Sequence, residues 1–300
     1  MTNHARDIIL VPTDFSDVAG YAIDHATEIA RIFHHKICLL HVIPRKLRET
    51  PREKQIREKL ENMAGFLAEK SGLEVSYLVE EGSIFSSISE VADRIDAEFI
   101  VMGIHGKKGV QHIVGSYAYK VVCSANVPVL VVKHMHHHVG YGSIVLPLDF
   151  SRETTQKLHQ AVRFARYFNA TVRVFGFLSS RNRARIIKKE ALLKGVKDFF
   201  STHDVPVTTR LLVDPGMDWP EALMQYSEEV DADLVMIVAE KGSSLSEVFS
   251  QNTTERIIDK IDTPVLTICR EFDPKSIGKP RESMFKPFID PLGLLKKRYR

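Results

Sequence analysis

The chain contains one segment twice, and this repeat limits its fold more than any other feature. The eight residues ILVPTDFS, from Ile9 to Ser16, recur as IVLPLDFS, from Ile144 to Ser151, with five identities at an offset of 135. Near the other end of each copy, Pro128–Leu130 recurs as Pro264–Leu266 at an offset of 136. Because matching segments keep their order, the chain is a tandem duplication, and both copies are expected to have one fold.

Within each copy, short apolar runs alternate with amphipathic helical patterns. The strands predicted for the first copy are Ile8–Val11, Lys36–Val42, Leu73–Val79, Phe99–Met102 and Val127–Val132. The predicted helices are a segment that follows the capping side chains Asp14 and Ser16 and reaches about Phe33, then Pro51–Lys70, Ile84–Arg94 and Gly115–Cys123. This alternation predicts an α/β fold: two tandem five-stranded parallel-sheet sandwiches, Rossmann-like, with helices on both faces.

The 300 residues are enough for two ordinary domains with their own cores. We expect domains at residues 1–133 and 143–270, a solvated His-rich linker at 134–142, and a Pro-rich basic tail at 271–300. The histidines of the linker lack Cys or acidic neighbours there, so we expect no metal site.

Charge is nearly balanced outside the tail, which holds eight Lys/Arg against four Asp/Glu. We therefore expect no nucleic-acid partner, and we place any electrostatic partner at the tail. Apolar runs are too short to cross a bilayer, so we expect a cytoplasmic protein without a membrane partner.

The chemistry-bearing pattern follows the fourth predicted strand. There the chain reads Met102-Gly-Ile-His-Gly106, and after eight intervening residues a helix begins at Gly115-Ser116. Glycines let the backbone approach a ligand, and the unpaired N–H groups of a helix N-terminus attract anions. With a donor from His105, these parts predict a triphosphate cradle. Neither a Walker A motif nor a dinucleotide fingerprint is present.

The chain resembles a tandem universal stress protein. The resemblance rests on the Pro-x-Asp-Phe-Ser turn, the Leu-Leu-His-Val ending of the second strand, Met-Gly-x-His-Gly, Gly-Ser and the closing Pro-Val-Leu-Val-Val strand. It covers about residues 5–133 and, more weakly, 142–270. It implies the adenine nucleotide alpha hydrolase-like variant of the fold, with ATP or another adenine nucleotide as ligand and Mg²⁺ as a companion of ATP.

The same resemblance implies roles for individual residues. Asp14 and Val42 would flank adenine, and Pro12 and Gly103 would lie near the ribose, with Thr13 in the same turn. The residues expected around the phosphates are Met102, Gly103, His105, Gly106, Gly115, Ser116 and Tyr117. The family pattern has nine residues between the second and third glycine, whereas this chain has eight, which affects the phosphate contacts more than the adenine pocket.

The second copy lacks most of the pattern. It has Ala239, Lys241, Gln251-Asn252, Leu148 and Phe177 where the first copy has Gly103, His105, Gly115-Ser116, Thr13 and Val42. A side chain in place of Gly103 and a ring in place of Val42 would oppose a ligand, so we expect one nucleotide site per chain.

The resemblance implies a stress-response or regulatory protein that binds a nucleotide in its first repeat, without dedicated catalysis. No activated nucleophile or positioned base is visible, and any turnover of ATP is expected to be slow. The alternatives are a scaffold that binds no nucleotide and, third, an ATP hydrolase or nucleotidyl transferase. Universal stress proteins dimerise through the last strand, so the resemblance implies an intramolecular pseudo-dimer; a homodimer and an unidentified protein partner complete the expected associations.

Overall fold

A computed structural model describes residues 7–104, 115–135, 140–148, 154–240 and 251–270. The first repeat comprises β1 (Ile8–Pro12), α1 (Asp17–Phe33), β2 (Lys36–Ile43), α2 (Pro51–Ser71), β3 (Val75–Glu81), α3 (Ile84–Arg94), β4 (Phe99–Gly103), α4 (Gly115–Ser124) and β5 (Val129–Val132). The second comprises β6 (Ser143–Leu148), α5 (Thr154–Phe168), β7 (Thr171–Leu178), α6 (Arg183–Thr202), β8 (Val207–Val213), α7 (Trp219–Glu229), β9 (Leu234–Glu240), α8 (Gln251–Lys260) and β10 (Val265–Arg270). The tail from residue 271 lies outside the described part.

All ten strands form one sheet, in the order β3-β2-β1-β4-β5-β10-β9-β6-β7-β8. Neighbouring strands within each repeat are parallel, and only the β5–β10 pair, where the repeats meet, is antiparallel. The α/β class and the five parallel strands per repeat are therefore confirmed. The strand order reverses between β1 and β4 in the first repeat, so its ligand crevice is expected beyond the carboxyl ends of those strands.

Alternate side chains of each strand contribute to two apolar layers. Val11 and Leu39 pack towards α1 and α2 on one face, whereas Leu10, Leu40 and Met102 pack towards α3 and α4 on the other. Because both faces are covered, the strands are nearly continuous apolar runs. Among the described residues, no helix has the length and apolarity needed to cross a bilayer.

The repeats join through their terminal strands. Leu266 pairs with Leu130 and Thr267 with Val129, and the Thr267 hydroxyl donates a hydrogen bond to the Val129 carbonyl at 3.1 Å. The exposed strand edges expected from the sequence therefore cover one another within one chain. This pairing is the expected intramolecular pseudo-dimer.

Side chains beside the sheet reinforce the junction. The rings of Phe33 and Tyr167 stack with centroids 3.5 Å apart, and Arg163 donates to Glu98 at 2.9 Å. The linker also contributes: Tyr141 is 1% exposed, and its hydroxyl lies 2.7 Å from Nδ1 of His25. The expectation of a fully solvated linker is therefore wrong at Tyr141, because an aromatic side chain beside α1 gains more from burial than from exposure.

Candidate functional site

Three apolar side chains converge where the sequence predicted a crevice. Pro12 is the last residue of β1, and Val42 and Met102 are the residues before the last of the adjacent strands β2 and β4. Met102 and Val42 pack with the α3/α4 layer, and Pro12, two residues after Leu10 of that layer, lies on the same face. Met102 is buried, whereas Pro12 and Val42 are half-buried. These three residues thus form an apolar floor at the carboxyl end of the sheet, which we call the β1–β2–β4 floor.

The β1–α1 turn beside this floor is held by its own polar groups. The Thr13 amide donates to Leu40 at 2.8 Å, and its hydroxyl accepts from the Phe15 amide at 3.1 Å. Asp14 accepts from the Ser16 amide at 3.0 Å, and Ser16 accepts from the amide of Ala19. The helix cap expected from both Asp14 and Ser16 is therefore Ser16 alone. Thr13 is buried within the turn, while Asp14 is exposed at its surface.

An aromatic stack supports this turn from the opposite face of the sheet. Phe15 has φ of 65°, and its ring lies over His41 with centroids 4.7 Å apart. The Nζ atom of Lys59, on α2, sits 4.2 Å from the centre of the Phe15 ring. Nδ1 of His41 lies 2.7 Å from the Thr13 carbonyl, which fixes a protonated Nδ1 as the donor.

Sequence reasoning missed this stack, although His41 stands within the Leu-Leu-His-Val motif. Burial lowers the pKa of His41, and this effect outweighs the Thr13 carbonyl and the Asp14 carboxylate, which raise it. A neutral His41 that donates to Thr13 keeps the turn, and with it Asp14, in one conformation.

Gly103 ends β4 next to the floor, and packing explains its lack of a side chain. A Cβ atom there would lie 2.3 Å from the carbonyl oxygen and 2.9 Å from Cγ1 of Val18, in the first turn of α1. The sequence predicts that this glycine allows close approach of a ligand. The structure instead shows close approach of a helix, and the expected nucleotide contact of Gly103 stays a prediction.

The phosphate end of the predicted site is described only in part. His105 and Gly106 lie outside the described residues. Gly115, Ser116 and Tyr117 form the first turn of α4, as the sequence predicted, but their side chains are not described. The described backbone therefore provides a helix N-terminus, with its unpaired N–H groups, after β4 and before β5.

Comparisons with known proteins agree with this architecture. The family model described as "Universal stress protein family" matches residues 5–133 and 140–268, which is most of the chain. The chain belongs to the universal stress protein family. Universal stress protein MJ0531 of Methanocaldococcus jannaschii is 33% identical over 145 residues, which cover 42% of this chain and 81% of that protein. Universal stress protein MJ0577 of the same organism is 29% identical over 152 residues, covering 42% and 93%.

A solved structure matches both repeats together. The crystal structure of a universal stress protein from Archaeoglobus fulgidus covers 88% of this chain and 96% of its own, with a TM-score of 0.68. At 16% identity, this likeness concerns the fold. It confirms that the tandem arrangement is a known architecture of the universal stress protein family.

The second universal stress protein repeat has a different carboxyl end. Phe177, at the position of Val42, is 8% exposed, and its ring meets that of Trp219 edge-on with centroids 6.3 Å apart. Leu148, at the position of Thr13, is buried in the core. In the second repeat, large apolar side chains therefore occupy the positions of Val42, which forms part of the β1–β2–β4 floor, and of Thr13, which lies beside it.

Metal ligands are sparse in the described part of the chain, which contains no cluster of three or more His, Cys, Asp or Glu side chains arranged to hold an ion. In the linker, His134 lies 3.4 Å from Asp262 on the second repeat. The neighbouring residues 136–138 lie outside the described part, so the expectation of no metal site there stays a prediction.

Proposed function

We propose that the first repeat binds ATP or a related adenine nucleotide and that the protein acts in stress-response regulation without a dedicated catalytic step. The observation that carries this proposal is the convergence of Pro12, Val42 and Met102 on one face, at the point where the strand order reverses. An apolar floor suits the face of a planar base, and crevices at such switch points are the usual ligand sites of open α/β sheets.

The polar groups around the floor suit the rest of a nucleotide. Asp14 is exposed on the turn that follows β1, where a carboxylate can accept hydrogen bonds from the base or the ribose. The first turn of α4, from Gly115, supplies amide donors and a positive dipole end for phosphates. His105 and Gly106 complete the proposed phosphate cradle, with Mg²⁺ as a companion of ATP.

The proposal assigns one nucleotide to each chain. In the second repeat, Phe177 and Leu148 are buried where the first repeat has Val42 and Thr13. That repeat would act as a structural partner, since β10 completes the sheet beside β5.

The absence of dedicated catalysis is part of the proposal. A general base needs a titratable group that is free to take a proton from the attacking water. Asp14 accepts the Ser16 amide and His41 donates to the Thr13 carbonyl, so each has a structural task in the turn. Slow turnover of ATP by water is compatible with this arrangement.

The second repeat supplies the variants for a test. Val42→Phe introduces the ring that the sheet accepts at Phe177, and Gly115→Gln with Ser116→Asn introduces the residues that begin α8. We expect the wild type to show a thermal shift with ATP and to release adenine nucleotide on acid extraction. Val42→Phe is expected to remove both signals, and Gly115→Gln/Ser116→Asn to weaken ATP binding more than adenosine binding.

Phe177→Val is the matched control, since it makes the reverse change in the second repeat. It is expected to leave nucleotide binding unchanged. A wild type that neither retains nucleotide nor responds to ATP, ADP or AMP would overturn the proposal in favour of a scaffold. Phosphate release far above background, lost in Val42→Phe, would overturn the part that excludes catalysis.

A further inference from the structure

The first half of α6 is a helix that the rest of the protein hardly covers. None of its residues from Arg183 to Leu192 is buried, and the buried side chains of α6 are Leu193, Val196 and Phe200 in its second half. Ile187 is 57% exposed and Leu192 is 42% exposed, and they are two of the four large hydrophobic side chains exposed in the described residues. Such exposure carries a cost in water unless another surface covers it.

The same segment concentrates positive charge. Residues 181–197 contain seven Lys/Arg and one Glu. Six exposed cations in this stretch form no ion pair with a described carboxylate: Arg181, Arg183, Arg185, Lys188, Lys194 and Lys197. Charge counted over whole domains hides this cluster, because acidic residues elsewhere balance it.

Helical periodicity places Ile187 among these cations, whereas Leu192, five residues later, lies about 140° around the helix, on the flank beside Lys188. Opposite the buried face of α6, Ile187 follows Arg183 and Ala184 by one turn and precedes Ala191 by another. Lys188 and Lys194 lie on either side of this ridge. The helix packs on β7 and β8, and β8 is the last strand of the sheet. The ridge is therefore a convex outer surface at one end of the molecule.

The equivalent helix of the first repeat lacks these features. The two helices are aligned by their N-caps, Thr50 and Asn182. In that register α2 carries Gln55 and the buried Leu60 at the positions of Ile187 and Leu192, and Ile56 in place of Lys188. The matching stretch, residues 49–65, contains four basic and four acidic residues. The shared fold thus requires neither the basic excess nor the apolar ridge, and both need an explanation that is particular to α6.

We propose that the outer face of α6 binds peripherally to an anionic phospholipid surface. Lys and Arg around an exposed apolar ridge are the composition of helices that lie in the membrane interface, where cations meet headgroup phosphates and apolar side chains enter the acyl boundary. A nucleic acid would pair with the cations but would give Ile187 no apolar contact. The electrostatic partner then lies against the second repeat rather than at the tail, and the expectation of no membrane partner is replaced by binding at a membrane surface.

Sedimentation with lipid vesicles tests this proposal on the full chain. Vesicles of phosphatidylcholine alone are compared with vesicles containing about one third phosphatidylserine. Arg183→Gln/Lys188→Gln removes two cations from α6, and Arg52→Gln/Lys54→Gln removes two from α2. We expect wild-type protein to sediment with anionic vesicles only. Because each cation near such a surface contributes about fivefold, the α6 pair is expected to lower partitioning roughly 25-fold and the α2 pair by much less.

Two further measurements separate the apolar and electrostatic parts. Ile187→Gln/Leu192→Gln keeps the charge and is expected to lower partitioning several-fold, most clearly at raised salt, where the electrostatic part is screened. All variants retain the basic tail, so differences between them report the helices. Equal sedimentation of the α6 and α2 pairs, no wild-type binding to anionic vesicles, or tighter binding to a short DNA duplex at the same salt would each overturn the proposal.

Discussion

Replacing Gly103 with Ala tests whether contact with α1, rather than with a ligand, explains the glycine. The added Cβ would lie 2.3 Å from the carbonyl oxygen and 2.6 Å from the carbonyl carbon of Val18. Both atoms belong to helix backbone, so no side-chain rotation relieves the clash. The start of α1 has to retreat by about 1 Å, which loosens the packing of Ala22 and Ala26 on the sheet.

The expected loss of stability follows from that movement. Overpacking of a core typically costs about 1–3 kcal/mol, and a clash with backbone belongs near the upper end. We therefore expect Gly103→Ala to lower the free energy of unfolding by about 3 kcal/mol without nucleotide. For a unit of this size, that corresponds to a fall in Tm of roughly 6 °C. Urea denaturation followed by circular dichroism measures the first quantity, and differential scanning calorimetry the second.

Gly20 provides the matched control on the same helix. Nothing lies within 4 Å of a Cβ added there, and an Ala in a helix interior is more stable than a Gly by about 0.5–1 kcal/mol. Gly20→Ala is therefore expected to stabilise the protein slightly. A Gly103→Ala protein within about 0.5 kcal/mol of wild type would refute the reasoning. The outcome also decides whether nucleotide loss in Gly103 variants can be interpreted, since a displaced α1 would move the Asp14 turn.

Three further predictions concern stability and association. Burial lowers the pKa of both His35 and His41. Below about pH 6.5 the unfolded chain therefore takes up protons that the folded protein does not bind. The contribution of the two histidines to the free energy of unfolding is fully present above that pH and is lost on acidification, by at most about 1.4 kcal/mol per pH unit for each histidine. Urea midpoints at pH 7.5 and 5.5 measure this loss, which His41→Asn is expected to reduce. The hydroxyl of Tyr167 is buried and has no hydrogen-bond partner among the described residues. Tyr167→Phe is therefore expected to leave the free energy of unfolding unchanged or to raise it by about 1 kcal/mol. A clear fall in the urea midpoint would contradict this expectation. A fragment of residues 1–133 would lack β10 and expose the edge of β5. Because exposed strand edges tend to pair, light scattering is expected to show a dimer of this fragment. A monomer would contradict the claim that this edge has to be covered.

Local pattern predicted most of the fold. The third helix has the predicted bounds, Ile84–Arg94, because a Ser83 cap precedes an amphipathic run that ends before a turn. Strand ends were less accurate: β5 begins at Val129 rather than Val127, since Pro128 has no N–H to donate to the ladder. Pro12, Val42 and Met102 share one face because the carboxyl ends of parallel strands meet at one edge of the sheet, and the nucleotide contacts that the resemblance implies for them stay predictions.

Features formed by distant parts of the chain escaped prediction. The stack of Phe15, His41 and Lys59 joins a turn, a strand and a helix, and no periodicity relates those positions. A glycine in a sequence can indicate that another group approaches its Cα closely, but it does not identify that group. Val18 therefore could not be predicted as the neighbour of Gly103. The seven basic residues of 181–197 are visible in the sequence, but which side chains of α6 stay exposed depends on its packing against β7 and β8.

The two repeats differ most where the fold depends on them least. The β5–β10 pairing and the ring contact between Phe33 and Tyr167 hold the repeats together away from the β1–β2–β4 floor. Residues at the carboxyl ends of the second repeat could therefore change without breaking that junction. Two of them are larger apolar side chains than their counterparts in the first repeat: Leu148 is 1% exposed and Phe177 is 8% exposed, and each joins one of the two core layers. Burial of these two side chains stabilises the second repeat and fills the space where a crevice would otherwise lie. Calorimetric titration with ATP is therefore expected to give a stoichiometry near one per chain. A stoichiometry near two would show that the second repeat also binds a nucleotide.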